Sequence, residues 1–175
     1  AENRAGAGLY VVHFPTDPGG GSAGWRRRAV GALGPLVAEP GVELRFARGF
    51  HPEEQMGRHR AQWPTGDAEL EVVVPPGRSV PLSLVFGRFL GYGVPPASVE
   101  VTVDGEPAGS VEVGQRANRF DTAVVALSAT VVGHDDGSPV RVGIRSDHHV
   151  PATLFGTPDT RRLGVPLVTV RLGSG

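Results

Sequence analysis

The sequence predicts an all-β chain, an antiparallel β-sandwich or jelly roll in a single domain spanning 1–175. Three observations predict it. Short β-branched runs alternate apolar and polar residues at period two, which is the signature of half-buried strands. The 26 glycines and 16 prolines fall mostly between these runs, without a repeating period, where turns are needed. Helical periodicity is nearly absent, so a doubly wound α/β fold would lack its crossover helices.

The elements follow in order. Leu9 to Phe14, "LYVVHF", reads as a first strand, and "PTDPGGGSAG" after it reads as a flexible loop. Trp25, Ala29, Leu33 and Leu36 fall at helical spacing, broken by Gly31, Gly34 and Pro35, which predicts a short helix around Trp25 to Leu33. Val42 to Phe46 is a strand. In "AELEVVV", Ala68, Leu70, Val72 and Val74 share one face and Glu69 and Glu71 the other. "PLSLVF" repeats the pattern with Leu82, Leu84 and Phe86.

"VEVTVDGEPAGSVEV" reads as a hairpin in which Val111 and Val113 answer Val99, Val101 and Val103. Its turn is Asp104-Gly105, a pair suited to positive φ. "DTAVVALSATVV", "VRVGIR" and "LGVPLVTVRL" complete a series of about eight or nine strands, with at most one or two short helices.

Composition excludes several function classes. The 17 basic residues are all arginine and meet 18 acidic ones, so a net charge of −1 removes the electrostatic footprint of a nucleic-acid binder. There is no cysteine, hence no disulfide, thiolate metal site or cysteine nucleophile. No run reaches the ~18–20 apolar residues of a membrane helix. The chain opens on Ala1, with neither an initiator methionine nor a secretory h-region, and is expected to be processed or excised from something longer.

The usual catalytic signatures, Gly-x-Ser-x-Gly, the P-loop, His-Glu-x-x-His and GxGxxG after a strand, are also absent. His148 and His149 in "SDHHVP" point to opposite faces on extended chain and would need a distant partner such as His51, His59 or His134 to hold a metal. A polar loop is the better reading, and neither metal nor cofactor is expected. "GFHPEEQMGRHRAQW" carries Glu53 and Glu54, but a glycosidase needs an opposing acid and none stands out. It reads as a charged surface connection with Trp63 packed at the sandwich edge. Phe86, Phe89 and Tyr92 in "FGRFLGYG" suit core packing better than a stacking platform for a pyranose.

"PDTRRLGVPLVTVRL", the last strand with its lead-in, poses the sharpest choice. On extended chain Arg161 and Leu163 share a face, and Arg162 takes the other. An arginine reaching Asp159, or a carboxylate of the "HPEE" loop, would pin the strand's register. Asp159, Arg161, Arg162 and Gly164 are thus read as a structural latch in preference to a ligand contact.

Taken in order, "GFHPEE", "RAQWPTGDAELEVVVP", "VEVTVDGEPAGSVEV", "IRSDHHVPA" and "DTRRLGVPLVTVRL" resemble the β-sandwich module found in some bacterial membrane-embedded glycosyltransferases and cell-envelope polysaccharide enzymes. The matching positions are Gly49, Phe50, Glu54, Trp63, Ser146, Asp147, Pro151, Asp159, Arg161, Leu163 and Gly164. The resemblance covers residues 49–172, the body of the sandwich, and leaves 1–48 as N-terminal strands, glycine-rich loop and helix.

It implies a carbohydrate-binding-like, galactose-binding-like fold with an accessory, non-catalytic role outside the cytoplasm. The partners would be a polysaccharide and a parent membrane protein or neighbouring domain. Trp63 and Tyr92 would then be stacking candidates, and Glu54, Asp159 and Arg161 their polar partners. The alternatives are a purely structural interaction module and, behind it, a glycan hydrolase using Glu53 and Glu54.

Overall fold

The computed structural model describes residues 26–28, 36–38, 40–56, 59–88, 96–114 and 123–173. The central strands obey the alternation read from the sequence. In β6 (Pro64–Val73) the buried Ala68, Leu70 and Val72 alternate with Asp67, Glu69 and Glu71 on the solvent face. In β11 (Val140–Ser146) Val140, Val142 and Ile144 are buried while Arg141 and Arg145 are exposed. These strands form one sheet with β3 (Glu43–Phe50), β8 (Ala97–Val103) and β9 (Glu106–Val113), in the order β3-β6-β11-β8-β9.

The second sheet has the order β1-β2-β12-β7-β10, with β1 (Arg26–Arg28), β2 (Leu36–Ala38), β7 (Ser79–Arg88), β10 (Ala123–Val132) and β12 (Leu167–Leu172). Its pairings are antiparallel except for a short parallel contact of β12 with β2. Apolar faces of the two sheets meet in one core. Leu44, Leu70, Val101, Val142 and Ile144 from the first sheet join Leu82, Leu84, Phe86, Leu127 and Val170 from the second. The architecture is the expected β-sandwich.

The β8–β9 hairpin pairs Val99 with Val111 and Ala97 with Val113. Both turn residues, Asp104 and Gly105, adopt positive φ (49° and 86°), as a tight hairpin requires.

Three expectations are corrected. The helix around Trp25 is not formed at Arg26–Arg28, which pairs antiparallel with Leu36–Ala38; its glycines and proline remove the helical alternative. The rest of that segment lies outside the described residues, as does the expected strand Leu9 to Phe14. The "HPEEQMGRHRAQW" connection contains a small hairpin, β4 (Glu54–Met56) with β5 (His59–Ala61). The last strand starts at Leu167 and not at Leu163, because Pro166 has no N–H to give a ladder.

A short helix, α1 (Pro151–Phe155), follows β11. Pro151 in its first turn and Gly156 at its end (φ 66°) are the two signals that mark it in the sequence.

Candidate functional site

The solvent face of the five-stranded sheet β3-β6-β11-β8-β9 is a lattice of charges set by strand register. One row runs Arg45, Glu71, Arg141 across β3, β6 and β11. The next runs Arg48, Glu69, Gly143, Thr102, and the third Asp67, Arg145, Glu100. Cross-strand neighbours of opposite charge stabilise such a face modestly. Arg48 pairs with Glu69 at 3.1 Å, and Arg145 with Asp67 at 3.1 Å.

Gly143 lies in the middle row of this face, and the Thr102 hydroxyl takes the space that a Cβ there would need. A trough of about 860 Å³ runs over this face. A second hollow of about 510 Å³ shares Asp67, Glu100 and Arg145 with it and runs on to His148 and Arg162. The two make one polar depression along β11.

At one end a relay closes the trough. The His134 Nε2–H donates to Asp104 Oδ2 at 2.9 Å, and its Nδ1 meets Ser138 Oγ at 2.8 Å. The other Asp104 oxygen accepts the Arg141 N–H at 2.9 Å. The relay joins the hairpin turn to the loop before β11. The Ser138 N–H is already given to Asp136, so this peptide does not serve as an oxyanion donor.

Glu54, Asp159 and Arg161 meet outside the lining of the depression. Arg161 bonds both Asp159 oxygens, with Nη2 at 2.6 Å from Oδ2 and Nε at 3.0 Å from Oδ1, and its Nη1 donates to Glu54 Oε1. The reading of an arginine bound to Asp159 or to the "HPEE" loop therefore resolves as both at once. The arrangement ties hairpin β4–β5 to the segment before β12. The Arg161 guanidinium and backbone N–H hold the Asp159 carboxyl down at about 2. Arg161 is held above its ordinary value, first by Asp159 and then by Glu54.

Arg162 faces the trough. Its guanidinium donates to His148 Nε2 at 2.8 Å, and its carbonyl accepts from His51 Nε2 at 2.9 Å. Gly164 permits a close backbone crossing. Its N–H donates to the Pro64 carbonyl at 2.7 Å, and an added Cβ would meet that oxygen at 3.0 Å and collide with Ser146 Oγ.

Two histidines at adjacent positions part company, as extended chain requires. His148 turns to Arg162, whereas the His149 ring packs edge-on to Trp63 (6.2 Å) and Phe155 (6.3 Å). Among the described residues no group of three or more His, Asp or Glu is placed to hold a metal ion.

Of the five ligand candidates, Glu54, Asp159 and Arg161 are brought together, but bonded to one another at the latch. Trp63 is corrected as a stacking residue. It is 1% exposed, so its ring offers no face to a sugar. Tyr92 lies outside the described residues, as does Phe89. Sequence reasoning missed the trough residues Glu100, Thr102, Arg141 and Arg145. Their signal is the outward half of each alternating strand.

Because the latch is a partly exposed network, its contribution is modest. Arg161→Ala is expected to lower Tm by about 2–4 °C. The Asp159 carboxyl is depressed from 3.8 to about 2, so its contribution is present above pH 4 and disappears as pH falls toward 2. The Tm difference between the wild type and Asp159→Asn should therefore shrink over that window in a pH series of thermal melts. A difference that stays constant to pH 2 would show that the carboxylate does not contribute through its charge.

Among the described residues no helix is long and apolar enough to cross a membrane. No protein-family model and no curated protein sequence matches the chain. Among solved structures it is similar to a family 35 carbohydrate-binding module from an environmental isolate, at 9% identity and a TM-score of 0.48, covering 75% of this chain and 93% of that one. It is also similar to a family 35 module from Clostridium thermocellum (6%, TM-score 0.45, 75% and 92% covered). A third is a module of Cellvibrio mixtus lichenase 5A in complex with cellotriose (12%, TM-score 0.38, 74% and 92% covered). At such identities these likenesses assign no ligand and no residue role to this chain.

Proposed function

We propose that the chain is a non-catalytic carbohydrate-binding domain whose ligand lies in the trough on the solvent face of the β3-β6-β11-β8-β9 sheet. The observation that carries this reading is the trough's lining. Carboxylates, guanidiniums and the Thr102 hydroxyl, which stands over Gly143, interleave along a combined depression that follows β11. Sugar hydroxyls donate and accept at once, so a surface of alternating acceptors and donors suits them where an apolar pocket does not. Affinity would come from hydrogen bonds, since no Phe, Tyr or Trp lines the trough among the described residues.

The sequence resemblance extends the reading to context. The domain would serve a bacterial envelope-glycan enzyme outside the cytoplasm, orienting a polysaccharide or stabilising its parent. Glu54, Asp159 and Arg161 are assigned to the latch, because their hydrogen-bonding groups face each other.

Glycan-array screening followed by calorimetry tests the binding. Saturable binding to a glycan is expected, weakened about ten-fold by Arg141→Ala or Thr102→Val with the melting curve little changed. A blank array with folded protein would overturn the reading.

A further inference from the structure

The charges of the trough differ in how far they are already engaged, and the difference selects a ligand class. Four arginines line the combined depression (Arg48, Arg141, Arg145 and Arg162) against six carboxylates, while the whole chain is nearly neutral at −1. The excess negative charge is thus concentrated on the face that carries the site.

Three of the four arginines are engaged within the protein. Arg48 is held by Glu69, Arg145 by Asp67, and Arg162 by the His148 ring. Glu71 and Glu100 have no hydrogen-bond or ion-pair partner among the described residues. They do not form a cluster. Glu71 is on β6 and Glu100 on β8, with β11 between them, and their β11 partners are Arg141 and Arg145. Four residues along a strand and two strand spacings across put them about 16 Å apart, diagonally over Gly143.

Their surroundings differ too. Glu71 stands between Arg45 and Arg141 in register, so its field is partly cancelled. The neighbour of Glu100, Arg145, is turned to Asp67, and Glu100 keeps the hydroxyl residues Ser98 and Thr102 on its own strand.

Building on the proposed glycan-binding role, we infer that the trough takes an extended glycan bearing free amino groups, with Glu100 as the principal ammonium acceptor and Glu71 as the second. Polyanionic glycans are disfavoured by the same field. An ammonium on a pyranose places donors and a positive charge where the uncommitted carboxylates lie. N-acetylation removes the charge and leaves the rest of the chain much the same. The contacts are exposed, so each is a matter of a few-fold in affinity and is screened by salt.

Calorimetry with three probes tests this: a hexamer of β-1,4-linked glucosamine, its fully N-acetylated counterpart, and a hexamer of galacturonic acid. At low salt the glucosamine hexamer is expected to bind roughly 5- to 20-fold tighter than the acetylated one, with two contacts of roughly 2- to 5-fold each. The gap should narrow as ionic strength rises. Glu100→Gln should remove more of it than Glu71→Gln, read as the ratio of the two affinities within each variant.

Equal binding of the acetylated hexamer, or tighter binding of the galacturonate, would overturn the inference while leaving a glycan-binding domain in place. Binding of none of the three would also overturn it. The glycan-binding reading itself falls only if the array is blank as well.

Discussion

Trp63→Ala is expected to cost about 3–5 kcal/mol of stability, roughly 6–20 °C in Tm. Trp63 is among the largest fully buried side chains and lies outside the main inter-sheet core, beside the His149 ring. Its carbonyl accepts the His51 N–H at 2.8 Å, and the next-door Gln62 bridges to Leu167 of the last strand. Truncation therefore opens a cavity at the junction of hairpin β4–β5, α1 and the start of β12. Trp63→Phe keeps an aromatic body and should lose less than half as much.

The functional consequence separates two roles. A stacking tryptophan would lose ligand affinity and keep its melting temperature; Trp63→Ala should do the reverse. At a temperature where the variant remains folded, binding in the trough should stay within about two-fold of the wild type. A large loss of affinity in a folded variant would return Trp63 to the ligand.

Much of the fold was legible because a half-buried strand writes its burial directly into its sequence. Leu82, Leu84 and Phe86, or Val140, Val142 and Ile144, needed no tertiary information to be assigned to a core face. The Asp104-Gly105 turn likewise fixes the β8–β9 register locally. What was not legible depends on which chain lies next door. Nothing in "VELRF" or "VRVGIR" says that they flank β6, and so nothing gathers Arg48, Glu69, Gly143 and Thr102 into one row.

The candidate site divides in the same way. The latch was readable because Asp159 and Arg161 are two residues apart, and its third member, Glu54, came from a loop already rich in charge. The trough was not, because each of its residues alone looks like the ordinary wet side of a strand. The reading of Trp63 as packed at the sandwich edge agrees with its burial, whereas the stacking role implied by the resemblance does not.

Gly49→Ala should destabilise the protein by about 3 kcal/mol or more, roughly 6–12 °C in Tm, although it adds one methyl group. Gly49 lies in β3 with φ of 77°, a left-handed value that costs any residue with a Cβ about 1–2 kcal/mol. The added carbon would also lie 2.7 Å from the Ala68 Cα and collide with the Asp67 carbonyl oxygen. Both obstacles are backbone of β6, which no side-chain rotamer can relieve.

The position matters for the trough as well as for stability. Simple alternation would keep Phe46, Arg48 and Phe50 on one face. Instead the register slips twice, pairing Phe46 with Leu70, Arg48 with Glu69 and Phe50 with Pro64. These bulges turn Arg48 outward to Glu69 and let Phe46 and Phe50 pack edge to face at 4.9 Å on the core side. Gly49 supplies the backbone turn between the second pair. The alanine variant should therefore shift amide resonances of Arg48, Asp67 and Glu69 and lower affinity for a trough ligand. Gly77→Ala is the control for backbone strain alone, since Gly77 has φ of 67° and nothing within 4 Å of the added carbon. It should lose only about 1–2 kcal/mol and leave those resonances in place. Equal losses at the two positions would mean that φ accounts for the whole effect and that β6 yields to the methyl group.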